Sequence, residues 1–312
     1  NLSPDTVPAG AWEAGYRYDR EFIHWFSHLH AWQMAALPVM PTVGPMRGPA
    51  GSQQYGSSFS HDEEAVEPGY HSVHLADYGI RAELTATDRV GFHRYRFPAE
   101  GTRNLLLDLG AELGPTEMSD CRIRPAGEGE LDGFVENAPT ARRPQPVRIH
   151  FVIEFDRPFS SFGGWKDGEG QRGCREIGGE GAGAFVRFEP NAPHTLRMKV
   201  ALSLCGVDQA RRNLRAEIPH WDFDCVRRQA TDVWDRWLGR IEVEGGTPAQ
   251  RTKFYTDLYH SLLGRRRVSD SAGTYLDMTG PDPRVRQIPR DGTGRPHHEH
   301  HNSDALWGAQ WS

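Results

Sequence analysis

Several features are scarce or absent in this 312-residue chain, and each absence argues against a class of function. No apolar run approaches the ~18 residues that a membrane-spanning helix needs. The net charge of −6 and the pI of about 6.2 leave no basic face for nucleic acid. The four cysteines show no CxxC spacing, which argues against a zinc site built from thiolates. We therefore expect neither a nucleic-acid partner nor a membrane span.

Common catalytic signatures are also missing. The chain has no GxSxG, no phosphate-binding GxxxxGK[ST] and no GxGxxG after a predicted strand. A mean hydropathy of −0.65 is low, but nine tryptophans and fourteen phenylalanines predict a folded core, not disorder. The 34 glycines and 22 prolines predict many turns.

Strand-like segments run from about residue 70 to residue 205. They are short, rich in β-branched and aromatic residues, and separated by Gly, Pro, Asn or Asp, which predicts a β-sandwich. The segment VRIHFVIEF at 147–155 places every second residue, all of them apolar, on one face. The glycine-rich segment 164–184 is predicted to be loop. The segment ALPVMPTVGP at 36–45 has too many prolines for a central strand.

After Cys205 the apolar period changes to that of helices, which are predicted at 207–217, 222–240 and 248–266. The second of these carries an apolar stripe at spacings of three and four, formed by Phe223, Val226, Ala230, Val233, Trp234, Trp237 and Ile241. Thr247 before Pro248 is a natural N-cap for the third. A sandwich followed by helices predicts two domains, of which the second is only begun.

The segment FSHLHAW at 26–32 is a candidate sugar site. His28 and His30 offer hydrogen bonds, and the flanking tryptophans Trp25 and Trp32 offer flat apolar surfaces. The alternative is that both histidines bond backbone groups in the core or a turn.

Two further segments are polar enough to bind a ligand. SHDEEAVEPGY at 60–70 contains four acids, of which Asp62, Glu63 and Glu64 could bind a cation or sugar hydroxyls, although a solvated loop is the simpler interpretation. PHHEHH at 296–301 contains His300 and His301. Adjacent histidines point in different directions, unlike the i, i+4 pair of HExxH, so we expect a loop lining a polar pocket, not a metal site.

Together these segments resemble glycoside hydrolase family 92, the calcium-dependent exo-α-mannosidases. The matching blocks are LSPDT, GYRYD, FSHLH and PVMPTVG, then SFSHDEEAVEPGYHSVHLADYGIRAELTATDRVGFHRYRFP, then FYTDLYHSLL and DSAGTY. They occur in order over nearly the whole chain, and the AELTAT-x-R-x-G-x-HRY block is long and specific. The resemblance implies a sandwich at 1–205, a helical linker at 206–240 and, at 241–312, the truncated beginning of a catalytic (α/α)6 barrel.

The resemblance also implies an active site between the domains and calcium-dependent hydrolysis with inversion. Inversion needs a general acid and a base some 6.5–9.5 Å apart. In the family these carboxylates and the main calcium ligands come from later in the barrel, so none is expected within this chain. Calcium is the implied cofactor, and the remaining catalytic domain is an implied partner.

Substrate contacts are implied near residues 303–310. The family usually reads S-x-W-D-T-x-R there, and this chain keeps Trp307, has Gly308 for the aspartate and places Gln310 or Trp311 near the arginine. Trp32, Gln33 and Met34 are likewise bulkier than the family's SGTG run. Loss of a carboxylate favours an anionic substrate. We therefore expect a mannose-α-1-phospho-6-mannose cap as substrate, held by Arg295 and the histidines 297–301.

Trp12 could stack on a sugar or belong to the sandwich edge.

Other functions stay open at this point. One is an ordinary α-1,2-mannosidase; another is a non-catalytic carbohydrate-binding β-sandwich, and a third is a structural module of a surface protein. Glycan substrates and a start at Asn1, which suggests a processed product, favour secretion. In a secreted protein Cys121–Cys174 or Cys205–Cys225 could pair, and spacing does not decide between them.

Overall fold

The structure is a computed structural model. It describes residues 2–8, 15–31, 34–47, 52–112, 117–140, 143–166, 168–189, 192–263, 267–280 and 282–301, and for a few of these, including His30, the backbone only.

The described residues form 22 strands, three long helices and two single turns of helix. The strands are β1 (Ser3–Asp5), β2 (Phe22–Ile23), β3 (Trp25–Ser27), β4 (Leu29–Ala31), β5 (Met34–Ala36), β6 (Val39–Val43), β7 (Ser57–Ser58), β8 (Glu64–Glu67), β9 (Tyr70–Leu75), β10 (Ile80–Ala86), β11 (Val90–Arg96), β12 (Arg103–Asp108), β13 (Met118–Gly127), β14 (Glu130–Asn137), β15 (Val147–Phe155), β16 (Ser161–Lys166), β17 (Glu169–Arg172), β18 (Ile177–Gly178), β19 (Gly183–Phe188), β20 (Thr195–Ser203), β21 (Thr274–Asp277) and β22 (Arg284–Gln287). The helices are α1 (Ser52–Tyr55), α2 (Val207–Glu217), α3 (Phe223–Leu238) and α4 (Pro248–Leu263), with a 3₁₀ turn at His61–Glu63.

Two large antiparallel sheets form the sandwich. The seven-stranded sheet has the order β1-β3-β6-β12-β19-β16-β17, and the nine-stranded sheet has the order β18-β13-β14-β15-β20-β11-β10-β9-β8. The inner faces of both sheets contribute to one continuous apolar core. The predicted fold, a mostly β sandwich followed by helices, is confirmed.

Strand β15 shows why the alternation was informative. Its odd-numbered residues, Val147 to Phe155, are all buried in the main core. Arg148 is exposed on the opposite face, while Val152 on that face joins a second core beneath α2. The sheet is therefore covered by the other sheet on one side and by helices on the other.

The prediction that 164–184 is all loop is wrong. Strands β16 and β17 form a hairpin there, and β18 joins the edge of the other sheet. Glycine serves packing at this place: a Cβ on Gly183 would lie 1.8 Å from the Trp165 ring. Glycine enrichment thus marks a close approach of strand and tryptophan, not a break in the sheet.

The prediction that the proline-rich segment 36–45 cannot be a central strand is also wrong, because β6 is third of seven in its sheet. The Pro38 carbonyl and the Gly44 N–H face β12. Backbone groups alternate in direction along a strand, so the Pro41 nitrogen, which carries no hydrogen, faces β3. Within β6 only Val39 is paired with β3, opposite Phe26. Proline is tolerated because no ladder donor is needed there.

The helices were predicted within two residues wherever the structure describes their ends. Asp222 caps α3 by accepting a bond from the Cys225 N–H, and Thr247 forms a reciprocal capping box with Gln250 at α4. Helices α2 and α3 pack on the nine-stranded sheet through a second core. Farther along the α3 stripe, Trp237 is 44% exposed.

All four cysteines lie in described segments and are free thiols, so neither suggested disulfide is formed. No helix among the described residues is long and apolar enough to cross a membrane.

Candidate functional site

The short ladder between β1 and β3 separates two depressions. Ser3 pairs with Ser27 and Asp5 with Trp25, so Leu2 and His28 lie near one end and Thr6 and His24 near the other. We call the first depression the seam cavity and the second the Tyr18 cleft. The seam cavity has a volume of about 110 Å³ and lies between His28–Leu29, the β10–β11 turn (residues 86–91) and Arg267–Asp270.

A chain of hydrogen bonds runs from the seam cavity into the core. His28 Nδ1 lies 2.9 Å from the Leu37 carbonyl oxygen, and His28 Nε2 lies 2.7 Å from His93 Nε2. Tyr95 Oη lies 2.7 Å from His93 Nδ1. Since a carbonyl only accepts, His28 Nδ1 donates, His93 Nε2 donates to His28, and the Tyr95 hydroxyl donates to His93. Every ring nitrogen is used when both histidines are neutral.

The pKa values agree with this neutral state. Burial lowers the pKa of His28 to about 4 and lowers that of His93 well below its ordinary value. His28 is 5% exposed and has no ring nitrogen left for a ligand. It fits the alternative of a buried, backbone-bonded histidine, and a direct role in binding sugar stays a prediction.

The segment Arg267–Asp270 is held firmly against the sandwich. The Arg89 Nε donates to the Ser269 carbonyl at 2.6 Å, and Arg89 also pairs with Glu217 at 2.6 Å. Asn213 donates to the buried Asp270 carboxylate at 2.8 Å. These bonds join the β10–β11 turn, α2 and the segment after α4, so the seam cavity has a rigid wall.

The predicted histidine loop rests on this wall. The His300 carbonyl accepts from the Val268 N–H at 2.8 Å, and the His300 ring stacks on Tyr275 with centroids 4.2 Å apart. His301 forms a β-bridge with Arg267. Arg267 in turn binds both Asp88 and Glu299, so its charge is neutralised. The loop thus contacts the segment Arg267–Ser269, which lines the seam cavity together with His28.

Residues 290–301 expose two arginine side chains, those of Arg290 and Arg295. The Asp291 carboxylate is occupied by the Thr293 hydroxyl and by two backbone N–H groups of its own turn. Arg290 donates only to backbone carbonyls, and Arg295 forms no ion pair with any described residue. With Glu299 bound to Arg267, the exposed loop presents the guanidinium groups of Arg290 and Arg295, which form no ion pair with a described carboxylate, beside the ionised Asp291. These two guanidinium groups can donate charge-assisted hydrogen bonds to an anion.

The other predicted contacts divide into two groups. Trp12, Trp307, Gly308 and Gln310 lie outside the described residues. The backbone of His30 lies in β4, paired with Ala35, and its side chain is outside the description. Asp62 is exposed in the 3₁₀ turn, well placed for solvent or a ligand. Roles in substrate binding stay predictions for all of them.

Beside Asp62, Glu64 is the centre of a buried network that the sequence did not reveal. Its carboxylate receives bonds from the Tyr16 hydroxyl at 2.8 Å, from His61 at 2.6 Å and from His71 at 2.7 Å. Burial alone would raise the pKa of Glu64, but these bonds outweigh it and lower the pKa. The hydrogen bond between Glu64 and His61 raises the pKa of His61. Glu64 is therefore an organising group of the fold, not a free ligand for a cation.

Three further residues of this region were not predicted from the sequence: His93, Arg89 and Arg267. The available signal for His93 and Arg89 was their place in the specific block at 82–95, which matched the resemblance without showing what the side chains touch. Arg267 directly follows the helix predicted at 248–266, and no local signal marked it.

Among the described residues, no three His, Cys, Asp or Glu side chains converge in a way that could hold a metal ion. The histidine loop in particular forms no such group in its described part. Calcium stays a prediction from the resemblance.

Comparison with known proteins identifies the family of this chain. The glycosyl hydrolase family 92 N-terminal domain matches residues 1–203, and the family 92 catalytic domain matches residues 209–312. The chain belongs to glycosyl hydrolase family 92. This family 92 chain is 26% identical over 248 residues, 71% of its length, to an uncharacterized secreted glycosidase of Arthroderma benhamiae, and it covers 30% of that protein.

Solved structures show the same fold. A family GH92 α-mannosidase from Bacteroides thetaiotaomicron has a TM-score of 0.83 at 24% identity, with 98% of this chain and 42% of that one covered. It has also been solved with mannoimidazole. A family GH92 inverting mannosidase from the same organism has a TM-score of 0.80 at 23% identity, with 92% of this chain and 38% of that one covered. The family 92 chain thus spans less than half the length of these relatives.

Proposed function

We propose that this chain is part of a secreted, exo-acting, inverting α-mannosidase that removes terminal mannose from mannose-α-1-phospho-6-mannose caps of glycans. The observation that carries the substrate class is membership of family 92. The relatives named as an α-mannosidase and as an inverting mannosidase support mannose release with inversion. The secreted glycosidase of Arthroderma benhamiae supports secretion.

The phosphodiester preference rests on charge. The loop at 290–301 is bonded to Val268 and Ser269 of the seam-cavity wall and exposes Arg290 and Arg295, neither of which forms an ion pair with a described residue. Gly308, in place of the family's aspartate, removes a further negative charge from the neighbouring sequence. A phosphodiester gains from such a surface through charge-assisted hydrogen bonds, while a neutral disaccharide does not.

In this proposal the described residues position the substrate and do not themselves cleave its bond to mannose. Arg89, Glu217 and Asn213 fix the wall on which the histidine loop rests, so a bound phosphate would meet preorganised donors. The acid and base that inversion requires are expected outside the described residues. Calcium, if bound there, would supply Lewis-acid polarisation of sugar oxygens.

The test compares two arginines on the same surface. Full-length protein with calcium is offered mannose-α-1-phospho-6-mannose and α-1,2-mannobiose, as wild type, Arg295→Gln and Arg284→Gln. Arg284 is also exposed, but it lies on β22 outside the loop. We expect Arg295→Gln to raise KM for the phosphodiester about tenfold, the loss of one charge-assisted bond, and to leave the disaccharide unchanged.

Arg284→Gln should match wild type on both substrates. Equal effects of the two substitutions would reject the role of the loop. Efficient cleavage of the disaccharide alone would identify an ordinary α-1,2-mannosidase. Binding of glycans with no release of mannose from either would favour a non-catalytic module.

A further inference from the structure

The Tyr18 cleft is a second depression on the sandwich, at the other end of the β1–β3 ladder from the seam cavity. It is open, has a volume of about 760 Å³ and is lined by Thr6, Pro8, Tyr18–Phe22, His24 and His61. That volume is in the usual range for sites that hold small molecules.

Tyr18 forms an aromatic platform in this cleft. Tyr18 is 72% exposed as a residue, and one face of its ring stacks on the His61 imidazole with centroids 4.1 Å apart and planes 20° apart. His61 Nε2 donates to the Tyr18 carbonyl at 2.7 Å, and Phe59 packs edge-on against the other side of His61. Most exposed tyrosines are free to change rotamer, whereas this one rests on a fixed base.

That base is fixed by the Glu64 network. His61 Nδ1 donates to Glu64 while Nε2 donates to Tyr18, so both nitrogens carry protons and the imidazole is cationic. The Glu64 carboxylate balances this charge and is held in turn by Tyr16 and His71. The platform is therefore rigid and locally neutral before any ligand arrives.

The imidazole of His24 forms part of the wall of the cleft. His24 is 8% exposed and lines the cleft, and its Nδ1 has no hydrogen-bond partner. That nitrogen is enclosed by the protein, so the part of the ring that meets the cleft is its remaining edge. Burial lowers the pKa of His24, so at neutral pH the ring is uncharged and has one donor and one acceptor nitrogen.

The charges of the rim favour a neutral ligand. Asp19 is bound by Arg17 at 3.1 Å, and Glu21 and Arg20 have opposite charges on adjacent residues. A flat exposed ring with hydroxyl-binding groups at its edge suits a pyranose, whose CH face is apolar and whose rim carries hydroxyls.

We propose that the Tyr18 cleft binds a neutral mannose residue of the glycan, at a distance from the bond that is cleaved. This deepens the proposed function and rests on it for the identity of the sugar. The two depressions are four residues apart along β1, roughly 13 Å at ~3.3 Å per residue. A short oligosaccharide spans that distance, and the rigid ladder fixes it.

The experiment uses the full-length protein as wild type, Tyr18→Ala and Tyr18→Phe. Tyr18→Phe keeps the platform and serves as the matched control. Binding of a branched oligomannose is measured by saturation-transfer NMR and titration, and mannose release is measured on this glycan and on a minimal two-sugar substrate.

We expect Tyr18→Ala to weaken oligomannose binding and raise its KM about five- to tenfold, the usual size of a lost aromatic contact, with kcat unchanged. The minimal substrate should react normally, and Tyr18→Phe should stay within about threefold of wild type, because only one exposed hydroxyl is lost. Equal effects of Tyr18→Ala on both substrates, or none on either, would overturn the proposal. If wild type releases no mannose, the proposed function fails, while the binding arm still decides whether the cleft holds the sugar.

Discussion

The His28–His93 pair predicts a loss of stability in mild acid. The folded protein holds His28 neutral with a pKa of about 4, while an unfolded chain takes up the proton near 6.5. Stability from this group is therefore complete above pH 6.5 and declines as the pH falls towards 4. The linkage relation gives about 3 kcal/mol over the whole window and about 2 kcal/mol between pH 7 and pH 5.

His93 adds to the loss in the same direction, because its pKa is also lowered. Protonation of both rings would place two cations with nitrogens 2.7 Å apart and would break the bond between them. Protonation of either histidine therefore opposes protonation of the other.

The assay is urea unfolding at pH 7, 6 and 5 for wild type, His28→Gln and His298→Gln. Gln at position 28 does not titrate, so this variant, although less stable at pH 7, should lose about 2 kcal/mol less than wild type on going to pH 5. His298 is exposed, and its replacement should leave the pH dependence unchanged. The reasoning is refuted if wild type and His28→Gln lose the same free energy.

Three more predictions concern packing, calcium and substrate charge. Gly69→Ala should destabilise by about 2–3 kcal/mol in denaturant unfolding, because its φ is +84° and a Cβ would lie 2.8 Å from Ala230 Cβ of α3. Gly79→Ala, with φ +63° and open space, should cost only about 1 kcal/mol, and equal losses would contradict this account. A chelator should abolish mannose release by the full-length enzyme and added calcium should restore it; undiminished release would show that no calcium is needed. Gly308→Asp should reduce kcat/KM for the phosphodiester by about tenfold, the effect of one like-charge contact, and spare α-1,2-mannobiose; an unchanged ratio would remove Gly308 from the argument.

The fold followed from local pattern wherever the pattern was a regular one. The alternation in 147–155 placed the buried face of β15 correctly, and the Thr247–Pro248 signal marked the start of α4. Predictions were wrong where glycine or proline, which usually indicates a loop, is part of a strand. Glycine in 164–184 permits the packing of Trp165 on Gly183, and Pro41 lies in a central strand at a position without a ladder donor.

The site was less predictable because its bonds join residues distant in sequence. His28 and His93 are 65 residues apart, and Arg89 meets Glu217 and Ser269 across more than 120 residues. Residue types in FSHLHAW suggested a sugar-binding histidine, and no local signal could show that another histidine uses its free nitrogen. The nearness of His28 and His300 to one cavity likewise required the tertiary structure.

The most direct test of the proposed function is one ¹H NMR time course. Full-length protein and calcium are given equal amounts of mannose-α-1-phospho-6-mannose and α-1,2-mannobiose in the same tube. The account predicts that mannose appears first as the β-anomer and that it comes from the phosphodiester well before the disaccharide is consumed. Mannose released first as the α-anomer, or released only from the disaccharide, would contradict it.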